Sequence, residues 1–314
     1  LRPDGVRELM RQNSEKLPES FTDGEGRTTR YEYGAFDLLT ALVRPDGERL
    51  ECRYDRLTRL TDIINAEGDT YHLTYDVAGQ LIAETDFTGR TLTYCYDAAG
   101  RCTRTTFPDG THINRRYNVT DQLTDEFVTR GDSDRTLSAT TFRHDTRCRL
   151  VEAKNDAATV TYEYDDASRV TAETLNGRRT EYQYDAHHDV RTQRTTDGIV
   201  EQFRHGLTGE VKQWQLDDHA PLTFAHDLCG QEISRESTAG FGLRQGWTPG
   251  GMLTTPHVGD PDLLSPHYRR NTIISRHYLY ARAYNLTMPL DPTRGTMFRH
   301  LPAPDPSFPA PLTP

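Results

Sequence analysis

The sequence predicts an all-β fold of repeated antiparallel hairpins, and three observations lead to this prediction. A motif of about 21 residues recurs along most of the 314-residue chain. The copies alternate aromatic and polar residues and reach an aromatic residue that is usually followed by Asp, which is typical of a strand with one apolar face. Most copies close with a Gly-containing turn. We therefore expect a long, curling antiparallel sheet in which hairpins follow one another along the chain.

The repeat is clearest when its copies are aligned on the aromatic residue before the Asp, here called the anchor. Successive anchors are 20 or 21 residues apart, except for one step of 27 residues. Asp follows the anchor in most copies, and an aliphatic residue lies six positions after it. The anchors are Tyr33, Tyr54, Tyr75, Tyr96, Tyr117, His144, Tyr164, Tyr184, His205 and His226.

Each prominent column of the repeat has a structural role in a hairpin. Aromatic residues two positions apart share one face of a strand, Asp starts the turn, and Gly allows its left-handed residue. If all copies share one register, the anchor rings lie side by side and the aliphatic column packs over them. The residues predicted to define the repeat are Tyr54, Asp55, Tyr75, Asp76, Gly79, Leu81, Tyr94, Tyr96, Asp97, Gly100, Tyr117, Tyr162, Tyr164, Asp165, Tyr182, Tyr184 and Asp185. No column remains for a catalytic group, a cofactor or a metal ion, so none is expected.

Composition restricts the possible partners and the thickness of the core. The net charge of −10 argues against nucleic acid as a partner, because nucleic acids bind basic surfaces. Hydrophobic residues make up 34% of the chain, which favours one thin apolar layer over a thick core. No stretch of 18 apolar residues occurs, and no membrane span is expected.

The quality of the repeat divides the chain into segments, and its abrupt loss near residue 288 is typical of a reading-frame change. The last segment is rich in Pro and is expected to be disordered. The predicted segments are a partial repeat tail with an insertion (1–30), repeats (31–126), an inter-repeat loop (127–141), repeats (142–240), degenerate repeats (241–287) and the Pro-rich tail (288–314).

The motif Y-x-Y-D-x-x-G-x-L-T, with a closing P-D-G, resembles the YD repeat of bacterial Rhs proteins. The same repeat occurs in toxin-complex C components and in teneurins. Tyr94–Thr103 fits the motif with Cys102 in place of Leu, and Leu73–Ile82 fits it with changes at both ends. The D-P-x-G-L-x-G-G motif of the Rhs protease core is missing, and Asp291–Gly295 resembles it only faintly.

The resemblance implies that the fold is an incomplete part of a hollow Rhs-type β-shell. Such a shell encloses a C-terminal toxin used in bacterial competition, so the resemblance implies a secreted or cell-surface protein. This chain is then interpreted as a non-enzymatic wall segment of a truncated or degenerate member, without core protease or toxin. Its partners would be the remaining shell and toxin segments.

Two other functions are considered besides the shell wall. An extracellular module could bind carbohydrate or a partner protein through rows of exposed Tyr rings. An enzyme could use adjacent carboxylates such as Asp165 and Asp166, although such pairs on loops are usually solvated. The environment of the Tyr column distinguishes the first alternative from the wall, because rings that bind sugar must be exposed.

Overall fold

In the computed structural model, the protein is all-β, and consecutive strands pair as an antiparallel meander. It describes residues 1–131, 135–185 and 191–259, together with the backbone of 272–275, 277–280, 286–291 and 296–297. Within this part of the chain, 25 strands form one sheet and three more form a second sheet. Each strand of the large sheet pairs antiparallel with the next strand in the sequence. The predicted fold class is confirmed.

The strands are short, as expected for a repeat of this length. The bounds are β1 Leu9–Gln12, β2 Pro18–Thr22, β3 Thr28–Tyr33, β4 Leu39–Val43, β5 Arg49–Tyr54, β6 Leu60–Ile64, β7 Thr70–Tyr75, β8 Leu81–Thr85, β9 Thr91–Tyr96, β10 Cys102–Thr106, β11 Thr111–Tyr117, β12 Leu123–Arg130, β13 Thr136–His144, β14 Leu150–Lys154, β15 Thr159–Tyr164, β16 Val170–Leu175, β17 Arg178–Tyr184, β18 Arg191–Thr196, β19 Ile199–His205, β20 Val211–Leu216, β21 Leu222–His226, β22 Glu232–Ser237, β23 Phe241–Arg244, β24 His257–Gly259, β25 Thr272–Ser275, β26 His277–Tyr280, β27 Leu286–Asp291 and β28 Thr296–Met297. A 3-10 turn covers Ala35–Asp37. In the described part of the chain, no helix is long and apolar enough to span a membrane.

Two kinds of turn alternate and define the two edges of the sheet. Turns that follow an anchor form one edge, called the YD edge. Turns that end at the closing Gly form the opposite edge, called the closing edge. YD turns lie at 34–38, 55–59, 76–80, 97–101, 118–122, 145–149, 165–169, 206–210 and 227–231. Closing turns of the same length lie at 23–27, 44–48, 65–69, 86–90 and 107–111.

A β-bulge recurs beside the YD edge in nearly every repeat. In β6, for example, Leu60 pairs with Tyr54 and Asp62 pairs with Arg53, so Thr61 is the extra residue. The Thr61 hydroxyl donates to the Arg53 carbonyl oxygen at 3.3 Å. A bulge bends its strand and increases the local right-handed twist. Because the bulge is repeated, the bends add up and the sheet curls.

The sheet has an apolar face but almost no buried core. In β7 and β9 the exposed and half-buried residues alternate, and the Tyr side chains lie on the half-buried face. Among the described residues, the buried hydrophobic side chains are those of Ala41, Ala172 and Tyr182. The ribbon therefore depends strongly on hydrogen bonds between neighbouring strands and repeats.

The structure differs from the predicted segments at three places. Residues 1–30 contain the β1–β2 hairpin. The segment 127–141, predicted as a loop, is mostly strand, because the six extra residues lengthen β12 and β13, which pair along this segment. Strand β27 crosses the predicted boundary at residue 288, while 298–314 lies outside the described residues.

Candidate functional site

The anchor tyrosines form a ladder of hydrogen bonds that joins each repeat to the one before it. The Tyr75 hydroxyl, for example, donates to the Leu60 carbonyl oxygen at 2.8 Å. Equivalent bonds of 2.6 to 2.9 Å link Tyr54 to Leu39, Tyr96 to Leu81, Tyr117 to Cys102, Tyr164 to Leu150 and Tyr184 to Val170. Burial raises the pKa of Tyr54, Tyr96, Tyr117 and Tyr164 above the ordinary value. The hydroxyl groups of these tyrosines therefore form hydrogen bonds within the sheet.

The prediction that anchor rings lie directly side by side is wrong. Tyr75 pairs across the strands with Leu81, and the backbone oxygen of Leu81 then accepts the Tyr96 hydroxyl. The aliphatic column therefore separates the rings of successive copies. The sequence indicates the correct face for both columns, but the order across the sheet depends on the pairing of whole strands.

The first tyrosines of the motif bind carboxylates of the neighbouring strand. The Tyr94 hydroxyl donates to Glu84 at 2.5 Å. Burial and this bond raise the pKa of Tyr94, and burial with a hydrogen bond to Glu173 raises the pKa of Tyr182 to about 12. Tyr162 is half-buried on β15, opposite Glu173 on β16. Tyr94 and Tyr182 therefore remain protonated donors at neutral pH.

In the Tyr-Asp pairs whose turns the structure describes, the Asp side chain accepts hydrogen bonds within the turn, while the turn after Asp185 lies outside the described residues. Asp55 accepts the backbone N–H groups of Leu57 and Arg59 through one oxygen, at 2.8 and 3.0 Å. Its other oxygen accepts the Arg59 side chain at 2.7 Å. Gly79 and Gly100 adopt left-handed φ angles of 85° and 81° in the equivalent turns. Asp76, Asp97 and Asp165 also accept the backbone N–H four residues later.

An Arg five residues after the anchor links consecutive YD turns through hydrogen bonds. Arg59 binds Asp55 of its own turn and donates to the Asp76 carbonyl oxygen of the next turn at 2.9 Å. Its guanidinium lies 5.0 Å from the centre of the Tyr75 ring. Arg101, Arg149 and Arg169 repeat this arrangement, and Arg169 reaches the Asp185 carbonyl oxygen at 3.4 Å. This column is not among the predicted repeat positions, although Arg or Gln recurs there at a fixed distance from most anchors.

The two edges of the ribbon meet after one revolution. Closing turn 23–27 contacts YD turn 227–231, and this contact is called the seam. The Leu228 N–H donates to Glu25 at 2.9 Å, and the Leu228 carbonyl oxygen accepts Arg2 at 2.8 Å. About nineteen strand spacings of about 4.8 Å separate the turns, which corresponds to a circumference of about 90 Å and a diameter of about 30 Å.

The seam repeats the chemistry of the YD edge. Arg27 binds Asp23 of its own turn at 2.8 Å, as Arg59 binds Asp55. It then reaches across the seam to the side-chain oxygen of Gln231 at 3.1 Å. Closing turn 23–27 thus acts toward turn 227–231 as one YD turn acts toward the next. This pairing was not predicted, because it depends on the curvature that accumulates over the whole ribbon.

Gly24 allows the close approach of the two edges. A Cβ atom at this position would lie 2.7 Å from the Leu228 carbonyl oxygen and 2.5 Å from a methyl carbon of Val6. Its φ angle is not left-handed, so Gly is needed here for space. The sequence gives no indication of this role, since Gly24 resembles any other turn residue.

The Asp turns predict a loss of stability in acid. Backbone N–H groups and the Arg side chain lower the pKa of Asp55 and Asp165, and the Arg101 side chain is the main cause for Asp97. A lowered folded-state pKa stabilises the fold above the ordinary value of 3.8. That stability is lost as the pH falls through the lowered value.

We therefore expect thermal midpoints, measured from about pH 7 to pH 2, to fall steeply only below about pH 4. Asp97→Asn should lower the midpoint at pH 7 and make its acid dependence shallower. Asp156→Asn is the control, because it removes the same charge from an exposed position on the closing edge. Equal pH profiles for the two variants would contradict the role of the turn carboxylates.

Groups of three or more His, Cys, Asp or Glu that could hold a metal ion do not occur among the described residues. Asp165 is occupied by its turn and by Arg169, while Asp166 is exposed next to it. The recurring side chains of the repeat, namely the anchor Tyr, the turn Asp and the Arg, thus connect neighbouring strands and turns.

Comparisons with known proteins agree with this geometry. The model of the teneurin YD-shell family matches residues 10–136. The probable deoxyribonuclease RhsB of Dickeya dadantii is 32% identical over 144 residues, which are 46% of this chain and 9% of that protein. The probable deoxyribonuclease RhsA of the same bacterium is 32% identical over 147 residues, again 9% of its length. The chain thus spans about a tenth of the curated relatives it matches.

Solved structures show the same fold. A Photorhabdus luminescens Tc holotoxin pore with a mutated TccC3 aligns with a TM-score of 0.53 at 11% identity, over 91% of this chain and 18% of that chain. The TcdB2–TccC3–Cdc42 structure aligns with a TM-score of 0.54 at 10% identity, over 92% and 18%. At this identity the likeness concerns the fold alone.

Proposed function

We propose that the chain belongs to the Rhs/YD-repeat family and forms part of the wall of a hollow β-shell that encloses a C-terminal toxin in bacterial competition. The match of residues 10–136 to the teneurin YD-shell family and the similarity to RhsB support this proposal. Its role in that wall is structural and non-enzymatic. Its partners are the other shell segments and the enclosed toxin segment. The deoxyribonuclease named in the Dickeya relatives would then reside outside these repeats.

The seam is the observation that carries this proposal. In a flat meander, each added strand lies farther from the first strand. In this protein, by contrast, turn 227–231 lies against turn 23–27. The contact is polar and specific, with one backbone N–H and one backbone carbonyl paired to charged side chains. A ribbon whose opposite edges meet in this way encloses a volume, which is what a wall must do.

The tyrosine ladder favours a structural role in a wall rather than a role as a sugar-binding surface. A ring that stacks on a sugar exposes its face and keeps its hydroxyl available to the ligand. Here the anchor hydroxyls donate to carbonyl oxygens of the preceding repeat, and Arg guanidinium groups lie against several rings. The hydroxyl groups and the aromatic rings of these side chains therefore both form contacts between repeats.

A chimera tests the proposal. Residues 1–259 of this chain, which include both sides of the seam, would replace a segment of equal length around the 32% identical stretch of RhsB, and trypsin digestion of the RhsB C-terminal segment would be followed over time. We expect the segment to be protected in the chimera, and Gly24→Val within the chimera to remove that protection. Cleavage at the rate of the free segment would contradict the wall role. Hydrolysis of DNA by the purified repeats would contradict their non-enzymatic role.

A further inference from the structure

Side chains, and not paired strands, hold the seam together. Among the described residues, closing turn 23–27 and YD turn 227–231 share no backbone–backbone hydrogen bond. Consecutive strands of the ribbon, by contrast, pair through backbone hydrogen bonds along their length. A change in a few side chains therefore affects the whole seam, whereas within the ribbon it affects one turn.

Two carboxylates of the closing turn accept hydrogen bonds from the YD turn. Glu25 accepts the Leu228 N–H at 2.9 Å. Asp23 accepts the thiol of Cys229. A hydrogen bond to an ionised carboxylate is about twice as strong as one between neutral groups. Protonation of the two carboxylates therefore weakens two of the contacts that cross the seam.

The other charged groups at the seam include two guanidinium groups on the closing side. Arg27 binds Asp23 at 2.8 Å and lies 4.0 Å from Asp227 across the seam. Arg2 donates to the Leu228 carbonyl oxygen. Carboxylates lose their charge in acid, whereas guanidinium groups keep theirs. The titratable and charged groups that face one another here are Arg2, Asp4, Glu8, Asp23, Glu25 and Arg27 on the closing side, and Asp227 and Cys229 on the YD side.

The contact with the YD turn also favours the ionised form of Asp23. Burial opposes ionisation, but hydrogen bonds from the Cys229 thiol and from Arg27 hold the pKa of Asp23 below its ordinary value of 3.8. The bond from Cys229 crosses the seam, so part of this preference depends on closure. By linkage, that bond stabilises the closed seam while Asp23 is ionised, and the stabilisation is lost as the pH falls through the lowered value.

We propose that the seam is an acid-sensitive latch, which is closed while Asp23 and Glu25 are ionised and opens reversibly when both are protonated. The paired strands and the tyrosine ladder persist when the latch opens, because their backbone groups and phenol hydroxyls stay uncharged in acid. Opening separates the two edges and gives solutes an entry between them. This inference rests on the contacts of the seam and does not require an enclosed toxin.

Hydrogen exchange at the Leu228 amide measures the latch directly, because this N–H loses its acceptor when the turns separate. Between about pH 7 and about pH 3, its protection factor, corrected for the intrinsic exchange rate, should fall about tenfold or more. Strand amides of Leu222–His226 and Glu232–Ser237, on either side of the turn, should keep their protection. Return to pH 7 should restore Leu228. An unchanged Leu228, or an equal loss at the strand amides, would overturn the proposal.

Asp23→Asn with Glu25→Gln should open the latch at neutral pH. We expect the protection factor of the Leu228 amide to be about tenfold lower than in the unmodified chain at pH 7, because both charged acceptors are gone. Acidification should then change it little. A double variant that keeps the protection and the acid response of the unmodified chain would show that these carboxylates do not hold the seam.

The matched control is Asp86→Asn with Glu15→Gln, which removes the same charge away from the seam. Asp86 has the position of Asp23 in its own closing turn, and Glu15 is exposed at the third position of turn 13–17. This variant should keep both the protection of Leu228 at pH 7 and its loss in acid. Equal effects of the two double variants on Leu228 would contradict a specific latch.

A disulfide across the seam distinguishes opening of the latch from general expansion in acid. The Asp23 and Cys229 side chains are in hydrogen-bond contact, so Asp23→Cys should place two thiols within bonding reach. The oxidised variant should keep its neutral-pH radius of gyration at about pH 3, whereas the reduced variant should expand. Equal expansion of both forms would overturn the proposal. Failure to form the bridge, checked by mass spectrometry, would overturn it as well, because the two turns would then not meet in solution.

Discussion

Replacing four consecutive ladder tyrosines with Phe is expected to lower the unfolding free energy by about 4 kcal/mol, or about 1 kcal/mol for each lost hydrogen bond. The four are Tyr54, Tyr75, Tyr96 and Tyr117. The ring and its packing are kept, so the loss reports the hydroxyl alone. The effect is large relative to a typical domain stability of 5–15 kcal/mol. The urea midpoint, followed by circular dichroism, measures it.

Tyr33→Phe is the matched control for the ladder. Tyr33 is also an anchor and is half-buried, but its hydroxyl has no hydrogen-bond partner among the described residues. We expect its urea midpoint to match that of the unmodified chain. The single variant Tyr75→Phe should lie between this control and the quadruple variant. A quadruple variant as stable as Tyr33→Phe would show that the ladder contributes nothing.

Gly24→Val is expected to open the seam while leaving the strands paired. The new side chain would overlap the Leu228 carbonyl oxygen and Val6, and a backbone atom cannot move aside alone. Overpacking of this kind costs about 1–3 kcal/mol, which is comparable to the few hydrogen bonds that hold the seam. Separation of the edges therefore relieves the clash. We expect faster hydrogen exchange at the Leu228 amide and a larger radius of gyration in small-angle scattering.

Ala66→Val is the control for the seam. Ala66 has the same position in closing turn 65–69 as Gly24 has in turn 23–27, but it lies outside the seam. This variant should leave both the Leu228 amide and the radius of gyration unchanged. Unaltered exchange at Leu228 in Gly24→Val would show that the two edges are not held together in solution.

Local features of the fold follow from the sequence because they depend on neighbouring residues. Alternation around Tyr94 and Tyr96 predicts the strand, and Asp97 with Gly100 predicts the turn. The partners of these residues, by contrast, depend on the strand register. The Tyr96 hydroxyl reaches Leu81 of the preceding repeat, fifteen residues away. A one-residue slip in pairing would have changed that partner.

The Arg residues that link consecutive YD turns and the contacts of the seam are hard to predict from sequence for two different reasons. Arg59 occupies a fixed column, so the periodicity alone contains the signal, but surface Arg residues after a turn are also common without any such role. The seam has no periodic signal, because Gly24 and Leu228 meet only after the bends of many repeats have accumulated. Its location depends on the angle of each bend, which residue types do not specify.

The consecutive pairing of strands has a consequence for how the ribbon is made. Each strand of β1–β22 finds its next partner within the following few residues, so hairpins can be added one after another as the chain leaves the ribosome. The seam must wait until YD turn 227–231 has been synthesised, about two hundred residues after turn 23–27. Formation of the ribbon is therefore directional, and the seam can close only after the strands between these two turns have paired.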